Sequence, residues 1–83
     1  MPVSRIEAHC IVITSRLAAH FAGGSALELE LAVTLPTGIR LPVAHASVVQ
    51  RADRARVRPG SALAVTLDPD RPDTLAIDWS RAA

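Results

Sequence analysis

The chain has 83 residues, enough for one small core and too few for a catalytic domain beside it. Apolar residues make up 49% and charged residues 20%, a balance that excludes a disordered tail. The formal net charge of +1 creates no global pull toward nucleic acid or acidic membrane, and the lone Cys10 excludes an internal disulfide and points to a reducing, cytoplasmic compartment.

Met1-Pro2-Val3-Ser4-Arg5 runs into a strand-like pattern without the layout of a secretion signal, and the apolar runs are far shorter than the roughly 20 residues of a membrane-spanning helix. No membrane role is expected. From Ile6 to Thr14 the apolar residues alternate at Ile6, Ala8, Cys10 and Val12, then fill both phases at Ile11, Val12 and Ile13. The pattern predicts a long strand whose second half is covered on both faces. Ser15 to Gly24 fits a helix by the Leu17 and Phe21 spacing and a strand by the alternation of Leu17, Ala19 and Phe21, and Gly23-Gly24 ends it either way.

Ala26 to Leu35 has period two without a break, with Leu27, Leu29, Leu31 and Val33 on one face and Glu28, Glu30 and Thr34 on the other. Pro36-Thr37-Gly38 predicts a tight turn into a partner strand at Ile39, Leu41 and Val43, which Pro42 marks as an edge or as bulged. Between Ser47 and Val57 the spacing of Val48, Val49, Ala52 and Ala55 predicts a short amphipathic helix with Arg51, Arg54 and Arg58 on its outer face. Pro59-Gly60 stops it. A strand follows at Ala62–Leu67, then an Asx- and Pro-rich turn over Asp68–Asp73, and a last strand through Leu75, Ile77 and Trp79, with Ser80 to Ala83 as a frayed tail.

The order strand, strand, strand, helix, strand, strand predicts one all-β domain over residues 1–83, a five-strand OB-like barrel, with an SH3-like barrel as the alternative. Only Phe21 and Trp79 are aromatic, so the core must be aliphatic, and its stability is modest or borrowed from a partner. The run Val57 to Pro72, with its Pro59-Gly60 turn, its valine-bearing strand and its Asp68-Pro69-Asp70-Arg71-Pro72 turn, followed by Ala76-Ile77-Asp78-Trp79, resembles the closing hairpin of small uncharacterised β-barrel domains common in actinobacterial proteins. The Leu27 to Val43 hairpin is similar in layout. The resemblance implies a barrel and brings with it no catalytic residues or ligand.

Candidate sites are few. His9, His20, His45 and Cys10 lack the spacing of a tetrahedral zinc site, since His9 and Cys10 point to opposite faces of one strand. Cys10 with His45, or Ser47 with His45, lacks an oxyanion turn and an orienting third group. Glu28 with Glu30 reads as a solvated face, and Asp68, Asp70 and Asp73 read as turn formers. Arg51, Arg54, Arg56 and Arg58 form the one local cluster suited to phosphate or acidic side chains, against the alternative of a solvated helix face. No catalytic residue, metal or cofactor is expected. The function expected is a non-catalytic protein-interaction or self-assembly module, pairing with another protein or with itself as a homo-oligomer. The alternative is a single-stranded nucleic-acid binder of the OB type, which Glu28, Glu30 and the lack of stacking aromatics disfavour.

Overall fold

The computed structural model describes residues 5–81, so the expectations for Met1 to Ser4 and for residues 82–83 fall outside the described residues. Five strands follow one another, β1 (Ile6–Phe21), β2 (Gly24–Thr34), β3 (Arg40–Gln50), β4 (Ala62–Asp68) and β5 (Arg71–Ile77), with a 3₁₀ helix (Arg51–Val57) between β3 and β4. They form one antiparallel sheet in the order β3-β2-β1-β4-β5. β3 and β5 touch without sharing a ladder, so the sheet curls into a small barrel that is nearly closed. A long first strand serving two neighbours, with the helix between the third and fourth strands, is the layout of the OB-like expectation.

β1 is the hinge of this arrangement. It pairs with β2 from His9 to Phe21 and with β4 from Ile6 to Ile11. Ile6, Ala8, Cys10 and Val12 point inward as their alternation predicts, joining Leu27, Leu29, Leu31, Val33, Val43, Val49, Leu63, Val65, Leu67 and Leu75 in an aliphatic core. Beyond Val12 the register slips twice against β2, between Val12 and Thr14 and between Leu17 and Ala19. Each slip is a bulge that reverses which phase faces inward. For this reason residues 15–21 look like neither a clean strand nor a clean helix in the sequence, although they are strand.

The alternation of β1 also corrects the expectation that Ile11 and Ile13 are covered. Both lie on the outer face, 42% and 52% exposed, and no described segment packs over them. The helix differs as well. β3 keeps pairing with β2 until Gln50 meets Gly24, so Val48 and Val49 are strand residues, with Val49 buried and Val48 on the surface. Eleven backbone pairs in a row outcompete a helix too short to be stable alone. What remains is a 3₁₀ segment in which Ala52 and Ala55 are exposed and Val57 alone is buried.

The turns obey their chemistry. Gly38 holds φ at +90° where the chain reverses between β2 and β3, and its N–H donates to the Leu35 carbonyl at 2.8 Å. Gly24 is required for a different reason, because a Cβ there would stand 2.5 Å from the Val49 carbonyl oxygen. Pro42 and Pro72 sit on β3 and β5, the two strands that end the ladder, where a missing N–H costs no sheet bond. The turn before β5 is shorter than expected, so Arg71, Pro72 and Asp73 are strand, and that strand stops at Ile77 short of Trp79.

The segment after β5 is fixed rather than frayed as far as Arg81. Asp78 accepts from the Ser80 hydroxyl at 2.6 Å and the Arg81 Nε at 2.9 Å, and Arg81 also donates to the Val65 carbonyl at 3.0 Å and pairs with Glu7. The Ser80 hydrogen bond, opposed in part by desolvation and aided by Arg81, holds the Asp78 carboxyl below its ordinary value.

The two faces of β2 should respond oppositely to substitution. Leu29→Ala and Leu31→Ala remove side chains from the core and are each expected to cost about 2–5 kcal/mol in urea unfolding of a dilute solution. Glu28→Gln and Glu30→Gln alter exposed groups and should cost less than about 0.5 kcal/mol, even though Glu28 pairs with Arg16, because both partners are solvent-exposed. Equal losses in the two sets would contradict the register.

Candidate interaction surface

Register turns the outer face of the sheet into a series of cross-strand rows. Pro42 stands opposite Ala32, Ala32 opposite Ile11, and Ile11 opposite Ala62, so one apolar row crosses β3, β2, β1 and β4. The bulged Ile13 adds a second isoleucine beside it. Ile13, Ala32, Pro42 and Ala44 line a shallow hollow of about 620 Å³, with Glu30 and Arg40 also on its wall. Small side chains at Ala32, Pro42 and Ala44 keep this part of the face low, so another surface could approach the backbone closely.

Charge borders the apolar row on both sides. One row away stand Thr14, Glu30 and Ala44, and one row away in the other direction stand His9, Thr34 and Arg40. Neither Glu30 nor Arg40 forms an ion pair with another described residue, whereas Glu28 in the next row is paired with Arg16.

The arginine cluster divides. Arg51 and Arg54 line a small cleft of about 140 Å³ with His20, Phe21 and Ser25, and Arg54 and Arg58 line a neighbouring one of about 310 Å³ with Ser15 and Leu27. Arg56 points elsewhere. It donates to Asp53 at 3.2 Å and to the Trp79 carbonyl at 2.9 Å, and its guanidinium lies 5.3 Å from the centre of the Trp79 ring. That geometry clamps the 3₁₀ helix to the C-terminal segment and gives Arg56 a structural role.

The residues considered for chemistry are dispersed. Cys10 is buried, and desolvation, only partly offset by the Leu63 backbone, pushes its thiol up to about 11, so it is protonated and a poor nucleophile at neutral pH. Opposite β2, Cys10 meets Val33 and His45 meets Leu29, a separation of about 13 Å along the strands. His45 and Ser47 share the inner face of β3 as their spacing predicts, both half-buried. His20 leaves the metal set for a hydrogen bond between its Nδ1 and the buried Ser25 hydroxyl at 3.3 Å, a partnership no sequence signal announced. Among the described residues no group of three His, Cys, Asp or Glu side chains is placed to hold a metal ion.

Comparison with protein-family models, with curated proteins and with solved structures finds no match for this chain.

Burial pushes the His45 imidazole below its ordinary value of 6.5. The folded chain therefore holds His45 neutral in a range where the unfolded chain protonates it. Its contribution to stability is complete above 6.5 and is lost as pH falls below that value. Urea midpoints measured from neutral to mildly acidic pH should decline, and His45→Gln should flatten the decline. An unchanged slope in the variant would assign the effect to another group.

Proposed function

We propose that this barrel is a non-catalytic protein-interaction module and that its binding surface is the outer face of β1, β2 and β3. One observation carries the proposal. The alternation in β1 breaks into apolar residues on both faces at Ile11 to Ile13, and only the inner face is covered by the described chain. Two exposed isoleucines set beside Ala32 and Pro42 in one contiguous apolar row are the feature that calls for a partner. The edge position of β3 adds main-chain hydrogen-bonding groups at the rim of the same face.

Burying this face against another protein would supply apolar contact that a small aliphatic core lacks. Catalysis has no comparable support, because the nucleophile, base and carboxylate candidates do not converge. Single-stranded nucleic acid is a poorer fit to this face, since Glu28 and Glu30 place negative charge on it and β2 and β3 offer no aromatic ring for stacking.

A photo-reactive benzophenone side chain introduced at Ala44 should form protein adducts in an extract of the cells that make this protein. The same group at Asp70, in the turn between β4 and β5, should form none. Absence of adducts at Ala44 in a folded variant would contradict the proposal.

A further inference from the structure

We infer that the partner on this face is a second copy of the same chain, related by a two-fold axis lying along the Pro42–Ala32–Ile11–Ala62 row. The inference rests on the surface proposed above and names its occupant from the pattern of charge.

A two-fold contact must be self-complementary, with each residue meeting the partner of the one that meets it. A two-fold axis relating stacked sheets lies in the plane between them. An axis running directly over β2 lays that strand over its own copy with every residue on itself, so Glu28 meets the partner's Glu28 and Glu30 meets the partner's Glu30, which like-charge repulsion opposes. An axis along the apolar row, perpendicular to the strands, exchanges the two flanking rows. The apolar row then packs on itself, and the row of Thr14, Glu30 and Ala44 lies over the partner's row of His9, Thr34 and Arg40. Glu30 stands above the partner's Thr34, one strand spacing of about 4.8 Å from the partner's Arg40, within reach of a guanidinium. Symmetry makes the same contact twice.

The pattern depends on Glu30 and Arg40 standing on opposite sides of the row without partners in their own chain, and both conditions hold among the described residues. The middle row crosses four strands and each flanking row three, about 4.8 Å apart, with rows about 6.8 Å apart, so the contact spans roughly a few hundred Å² per chain, below the ~800 Å² of a standard interface. The outer face of a barrel is also convex. The dimer is therefore a weak one that dissociates on dilution.

Sedimentation velocity and native mass spectrometry of the full chain over a range of concentrations test this. The unaltered chain should pass from monomer to dimer as concentration rises. Glu30→Arg alone sets two guanidinium groups against each other across the contact, and Arg40→Glu alone sets two carboxylates together, so each should raise the dissociation constant about tenfold or more. Mixed in equal amounts the two variants should form a heterodimer holding one of each. Circular dichroism of each variant in dilute solution checks that it is folded. A chain monomeric at all concentrations, or a mixture that associates no better than its components, overturns the inference. So does a dimer insensitive to both charge changes, which would place the contact elsewhere. If the chain stays monomeric while Ala44 still cross-links to a protein of different mass, the surface survives and the self-pairing alone fails.

Discussion

Everything in this fold hangs on the double pairing of β1. One strand holds β2 from His9 to Phe21 and β4 from Ile6 to Ile11, and those two ladders join the hairpin of β2 and β3 to the hairpin of β4 and β5. Because both hairpins hang from the same strand, its inward residues, Ala8, Cys10 and Val12, sit in the middle of the core between Val33 and Leu31 on one side and Val65 and Leu63 on the other. A sheet this narrow can cover its inner face only by curling, and the curl brings β3 and β5 together. Two bulges in β1 supply the bend. Ile11 and Ile13 lie in the outward phase of β1, on the convex side, and both are exposed among the described residues.

The same geometry sets the division of labour between surfaces. Around the C-terminal segment, Arg56, Trp79, Asp78, Arg81 and Glu7 form a clasp of hydrogen bonds and ion pairs that fastens the last residues to β1 and β4. None of these groups is fully buried, so each ion pair contributes little individually, and their joint effect is to fix one arrangement of the segment from Asp78 to Arg81. Farther along the same outer face, apolar residues lie exposed between Glu30 and Arg40, two charges of opposite sign that form no ion pair among the described residues. The proposed binding surface lies there because, among the described residues, Ile11 and Ile13 are exposed and Glu30 and Arg40 form no ion pair.

Much of the architecture was legible in the sequence. Leu27 to Val33 alternated without interruption because β2 lies between two neighbours in regular register on β3, and its inner face is core throughout. Gly38 and the prolines marked their turn and edges because those positions are set by backbone geometry that few other residues satisfy. The failures begin in β1. Bulges there shift the phase of alternation without leaving any mark in residue type, so Leu17 to Phe21 read as ambiguous, and Ile11 and Ile13 read as covered because residue type does not tell that the outer face is open. The Ser47–Val57 segment misled for a second reason, since spacings of three and four arose from Val48 and Val49 in a strand followed by alanines on the surface. Of the arginine cluster, Arg51, Arg54 and Arg58 stay grouped, while the capture of Arg56 by Trp79 depends on a contact 23 residues away that no local pattern could reveal. The placement of Glu30 and Arg40 on opposite sides of the apolar row was equally hidden, because it emerges only once the register of β2 against β3 is known.

Solvent accessibility of individual methyl groups tests the account most directly. In chain labelled at its isoleucine and leucine methyls, a soluble paramagnetic agent should broaden Ile11, Ile13 and Leu17 alike at low concentration, since all three are exposed in the single chain. At high concentration Ile11 and Ile13 should become protected, whereas Leu17, on the inner face near the open end of the barrel, should stay accessible. Isoleucines that remain as accessible as Leu17 at every concentration would contradict the account.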